Sequence, residues 1–145
     1  LLPLPNIDDS IEYTEMSRTL LLNSYVNMVT DTFFEISPDC TFLSEKVFNA
    51  IAHWQIFIIM APPHTLSYLK SIGYKTFDHI IDESYDAIEN NYERILAVTN
   101  SFIRFVSQPI EVIQQQYIDS LSIIEHNRSR LFQCNFEQKL AEKLK

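Results

Sequence analysis

Apolar positions change their period several times along the chain, and each change predicts an element. Ile11, Met16, Leu20 and Leu21 recur at helical spacing and predict a short helix over 11–22. Residues 25–30, Tyr-Val-Asn-Met-Val-Thr, are β-rich and mostly apolar, which predicts a strand. A loop around Ser37-Pro38-Asp39 fills 31–43. Val47, Phe48, Ile51 and Trp54 then share one helical face, so a helix is expected over about 44–54 with Ser44 as its N-cap. The run Ile56-Phe57-Ile58-Ile59-Met60-Ala61 does not alternate at all. A strand apolar on both sides belongs in a parallel sheet covered by helices on both faces.

Pro62-Pro63 ends that strand, and a helix over His64–Ser71 follows, burying Leu66, Leu69 and Ile72. Gly73 fits its C′ position, where positive φ is usual. Residues 74–77 read as a brief strand or extended turn, and Asp82-Glu83-Ser84-Tyr85-Asp86 as an acidic turn. A helix over 90–107 carries the stripe Ile95, Val98, Phe102 and Phe105 or Val106. Beyond Pro109, Ile113, Tyr117, Leu121 and Ile124 predict mostly one helix over 110–131. The last residues, 136–145, continue the helical pattern. The expected fold class is therefore α/β: a small, mainly parallel sheet flanked by helices, with a helical C-terminal tail. The boundary falls near Pro109, giving an α/β unit over 1–108 and a tail over 109–145 that packs on it.

Composition narrows the chemistry. A single glycine, Gly73, excludes a glycine-rich dinucleotide or phosphate loop. A net charge of −8 leaves no basic surface for nucleic acid. No apolar run approaches the ~20 residues of a membrane span. Cys40 and Cys134 have no CxxC spacing and read as free thiols in a reducing compartment, the cytoplasm. Four histidines without paired spacing predict no metal site. The first residues, Leu-Leu-Pro-Leu-Pro, lack a basic signal-peptide region and an initiator Met, as in a piece of a longer chain.

Open α/β sheets bind ligands at the carboxyl ends of their strands, where helix starts converge. Two such places are expected. Thr30-Asp31-Thr32 follows the first strand and faces the helix opened by Ser44-Glu45-Lys46. Ala61-Pro62-Pro63-His64 leads from the second strand into the next helix. Unsatisfied N–H groups there favour an anion. A lysine in a first helical turn opposes the dipole, a cost that a bound phosphate would offset. Ordinary helix chemistry, with Glu45 on the dipole and Lys46 solvated, accounts for the same pair.

The segment "FLSEKVFNAIAHWQIFIIMAPPHTLSYLKSIGYKTF", followed by "DESYD" and "ER", resembles the donor-binding half of GT-B-type, fucosyltransferase-like glycosyltransferases. It is also similar to phage and environmental proteins with an EK, LKxxGFKTF and DESYD pattern. The resemblance covers about residues 24–100. It implies half of a GT-B, Rossmann-like fold that takes a nucleotide-diphosphate sugar as donor substrate, with no cofactor and no metal. It implies Glu45 at the ribose and Lys46 at the diphosphate, with Thr30, Asp31 and Thr32 lining the approach; His64, at the second helix start, is the second candidate, from the strand–helix geometry alone. Catalytic residues are not assigned by it, and DESYD has no assigned role. From the residues alone, DESYD reads as a turn and helix-capping cluster. Relatives carry Gly where Trp54 stands and Pro near Ile56 or Phe57. Trp54 would either fill that space or narrow the donor pocket. Nothing ahead of residue 24 could be the acceptor domain, so a donor half without it is expected, with a glycan acceptor as further partner. A homodimer through the C-terminal helices is then expected to cover their apolar stripe. Two other classes stay open: a non-catalytic binding module, and an interaction protein that assembles through its helices.

Overall fold

The computed structural model describes residues 19–31, 34 and 43–133. The chain is α/β. Strands β1 (Val26–Thr30) and β2 (Ile56–Met60) pair in parallel, with Val26 opposite Ile56 and Thr30 opposite Met60. Helix α1 (Glu45–Ala52) lies between them in the chain. Helix α2 (Thr65–Ser71), a 3-10 turn (Ser84–Ala87), and helices α3 (Asn91–Val106), α4 (Ile110–Asp119) and α5 (Leu121–Gln133) follow. Among the described residues no helix is long and apolar enough to cross a membrane. Of the helix expected over 11–22, residues 19–22 are helical and 11–18 lie outside the described residues, as does the helix expected over 136–145.

The unbroken apolar run does what its pattern requires. Ile56, Phe57, Ile58 and Ile59 are all buried, on both faces of β2. Val47, Ala50 and Ile51 of α1 cover the strand pair, and Leu66, Leu69, Phe77, Val98 and Phe105 complete the core. The Phe57 ring meets Phe77 edge-on at 5.0 Å. Gly73 follows α2 at φ +90, and a Cβ there would stand 2.6 Å from Arg130 Cζ. Glycine is needed at that C′ position for its backbone, while the Arg130 side chain could move aside from a Cβ.

Four readings meet the structure. Residues 74–77 take the extended-turn alternative and join no strand, because the Asn127 side chain takes both main-chain groups of Lys75. Its Oδ1 accepts from Lys75 N at 2.8 Å, and its Nδ2 donates to Lys75 O at 2.8 Å. The helix expected over 110–131 is two helices, broken at buried Ser120, whose hydroxyl donates to Gln116 O and meets His79 Nε2. Ile113 and Ile124 of the tail stripe are buried in the core, while Tyr117 and Leu121 are half-buried. On α3 the predicted stripe holds at Val98 and Phe105, which are buried, and at Phe102, which packs against the core, but Arg94 and Ser101 join the buried face and Ile95 is exposed.

Trp54 is the fourth. Helix α1 ends at Ala52 with His53 as C-cap, and Trp54 adopts φ 60, the left-handed conformation that glycine takes without cost. Gln55 N donates back to Ala50 O at 3.1 Å, closing the helix end. Trp54 precedes β2 at the amino end of the sheet, so it does not narrow a pocket at the carboxyl ends. Arg128 stacks on its ring at 4.8 Å, and Tyr117 Oη donates to its carbonyl at 2.8 Å. Those contacts offset its backbone strain.

Candidate functional site

Both helix starts expected to attract an anion stand at the carboxyl end of the strand pair, and the protein treats them differently. The start of α2 is filled from within. Asp86 Oδ1 accepts from Leu66 N at 2.8 Å, and Oδ2 accepts from Ser67 N at 3.0 Å and Ser67 Oγ at 2.9 Å. Its carbonyl accepts from His64 N at 2.7 Å. A carboxylate at the N-terminus of α2 satisfies the N–H groups and the dipole together. His64 is the N-cap residue, held at φ 65, and its ring meets Glu89 Oε1 at 3.1 Å. An incoming anion would meet Asp86 and Glu89 at this place.

Among the described residues, the start of α1 has no side-chain cap. Ser44 precedes the helix in extended conformation, but its hydroxyl caps nothing. Ser44 is fully buried, and its Oγ finds no hydrogen-bond partner among the described residues. Its N–H donates to Asp31 Oδ2 over a long 3.4 Å. Asp31 leaves β1 at the sheet's end, with its own N–H on Met60 O at 2.9 Å. Glu45 is exposed and Lys46 half-buried. Lys46 and Thr30 line the same depression of about 200 Å³, with Asn27 and Asn49. The fold thus brings Thr30, Asp31, Ser44 and Lys46 together, with Glu45 beside them. His64 belongs to the other helix start, and Thr32 lies outside the described residues.

The DESYD residues form a clamp across the sheet. Asp82 Oδ1 accepts from Ser84 N at 3.1 Å, and its carbonyl accepts from Ser101 Oγ at 2.8 Å. Hydrogen bonds from Ser84 hold the Asp82 carboxyl below the usual range. Glu83 accepts from Thr76 Oγ1 at 2.7 Å and Phe77 N at 2.8 Å, and pairs with Lys70 at 3.3 Å. Burial still pushes the Glu83 carboxyl up, against those bonds. Tyr85 is buried, and its Oη accepts from Ile59 N on β2 at 3.4 Å. Burial pushes its phenol well up. Asp86 completes the clamp at α2.

Arg94, to which sequence reasoning assigned no role, is buried at the same end of the sheet. It makes five hydrogen bonds: to the carbonyls of Ala61, Ile88, Glu89 and Phe34, and to Asn91 Oδ1. Its guanidinium stacks over Phe34 at 4.3 Å. Burial pulls its pKa down, with Glu89 and Asp86 opposing. All its donors are engaged by the chain, so it ties the segment after β1 to the end of β2. The "ER" of the resemblance was its one sequence signal, since hydropathy assigns an arginine to solvent.

Two larger depressions, each of about 390 Å³, lie away from both helix starts. Asp82, Arg104, Gln108 and Gln116 line one, and Tyr25, His53, Trp54 and Tyr117 the other. Among the described residues, no group of three or more His, Cys, Asp and Glu could hold a metal ion.

No family model, no curated protein and no solved structure matches the chain.

Proposed function

We propose that this chain is a nucleotide-diphosphate-sugar-binding domain, the donor half of a glycosyltransferase of GT-B type. The diphosphate sits at the start of α1 against Lys46, with Glu45 toward the ribose and Thr30 beside them. A glycan acceptor would be supplied through a partner or a further domain. One contrast carries the reading: Asp86 already satisfies the start of α2, whereas among the described residues the start of α1 has no side-chain cap and the buried Ser44 hydroxyl beside Lys46 has no hydrogen-bond partner. A phosphate oxygen there would take over the long bond that Ser44 N now gives Asp31.

Calorimetric titration of GDP, UDP and CDP and their sugars tests the reading. Lys46→Ala is expected to weaken the best ligand by about 1.5–3 kcal/mol, the worth of a charge-assisted hydrogen bond. Asp31→Asn is expected to tighten it, because a carboxylate beside the diphosphate is removed. No binding by the wild-type chain at millimolar nucleotide would end the proposal. Binding without sugar transfer or hydrolysis would leave a binding module in place of an enzyme.

A further inference from the structure

We propose that the outward face of α3 is the surface through which two copies of this chain pair, helix against helix and antiparallel. The helix presents three faces. Arg94, Val98, Ser101 and Phe105 point into the core. Glu93, Asn100, Arg104 and Ser107 make a polar flank exposed to solvent. The third face is apolar and exposed: Tyr92 at 71%, Leu96 at 46%, Ile103 at 52% and Val106 at 39%, with Ile95 beside them.

Positions 92, 96, 99, 103 and 106 are separated by alternating steps of four and three residues. That is the spacing of a seam along which two helices interlock side chains. Ile110 extends it past the end of α3, 48% exposed. A solvated surface helix has no need of this second stripe, because its first stripe already meets the core.

Size and charge name the occupant. The exposed parts of these side chains amount to roughly 500–600 Å² of apolar surface, at the upper end for a lone protein and near the share a dimer partner contributes. The ends of α3 carry opposite charge, with Glu93 in the first turn and Arg104 in the last, where the exposed Arg104 guanidinium also pairs with Asp82 of its own chain at 3.6 Å. An antiparallel pair crossing at Thr99 brings Tyr92 of one copy to Val106 of the other. It also brings the acidic end of each helix to the basic end of its partner, and the helix dipoles oppose favourably. A parallel pair would set like charges and like dipole ends together. This surface is separate from the tail stripe, whose Ile113 and Ile124 are already buried.

Sedimentation equilibrium of the whole chain tests the pairing. The wild type is expected to show dimer mass at about 100 µM protein, the range open to a contact of this size. Ile103→Glu, at an exposed site, is expected to weaken association at least about tenfold while leaving the circular dichroism unchanged. For the orientation, Thr99→Cys in a Cys40→Ser, Cys134→Ser background should cross-link to a dimer under mild oxidation, while Tyr92→Cys in the same background should not. A wild type that stays monomeric at that concentration, including one whose α3 face instead serves another domain, overturns the proposal. So does an Ile103→Glu chain that remains dimeric, or cross-linking through Tyr92→Cys and not through Thr99→Cys.

Discussion

Asp86 shows how much a single side chain can organise here. Its carboxylate closes a helix twenty residues earlier in the chain, taking two main-chain N–H groups and one hydroxyl. Asp86→Ala should cost about 2–4 kcal/mol in urea denaturation, more than an ordinary cap, because buried donors lose a charged acceptor. Asp86→Asn should cost less, since its amide oxygen still accepts. Tyr85 gives a pH-dependent prediction. Burial raises its phenol, so the folded state keeps a proton that the unfolded chain loses near pH 10. Stability from this group is present below about pH 10 and falls as pH rises beyond it. Tyr85→Phe should flatten that alkaline limb in denaturation series from about pH 8 to 11, while losing a little stability at neutral pH with the Ile59 N–H bond. The sequence reading of DESYD as a turn and capping cluster was legible from its residue types. Which helix it caps was not, because the partner is distant in the chain.

At the scale of elements, hydropathy period was a good guide wherever one force dominated. β2 was legible because its apolar run has no polar face, and α1 because Val47, Phe48 and Ile51 recur on one helical face behind Ser44, although Trp54 falls outside the helix. Gly73 marked the end of α2. Where it left alternatives open or failed, the causes are particular. Residues 74–77 read equally as a strand or an extended turn, and the turn forms because a side chain pairs the backbone of Lys75, which no pattern of apolar positions encodes. Asn127→Ala should therefore cost about 1–2 kcal/mol for two lost bonds, measured by chemical denaturation. Asn127→Asp should cost at least as much, because one oxygen would then face the carbonyl of Lys75. The break at Ser120 has no glycine or proline to announce it; the tie to His79 settles it after folding. The α3 stripe was right at Val98, Phe102 and Phe105 but took in Ile95 and passed over Arg94 and Ser101, because an arginine is buried on this helix and several apolar residues are not. Both departures from the usual hydropathy rule belong to one helix, and each has a separate cause. Arg94 binds four carbonyls, and the outward face has the form of a contact surface.

For the whole molecule, a two-stranded parallel sheet is a small platform. Its ends carry most of the organisation: Arg94 and the DESYD clamp at the carboxyl end, Trp54 with Arg128 and Tyr117 at the amino end. The candidate site was legible as a place, because the strand–helix junctions follow from the element order. The difference between its two helix starts was not, because it depends on Asp86 reaching across from the 3-10 turn. ¹⁵N–¹H spectra recorded during titration with GDP, UDP or CDP distinguish the two helix starts. The nucleotide that binds is expected to shift the amides of Thr30, Asp31, Ser44, Glu45 and Lys46, leaving Leu66 and Ser67 where Asp86 holds them. Shifts centred on Leu66 and Ser67, or no shifts with any of the three at millimolar concentration, would contradict that expectation.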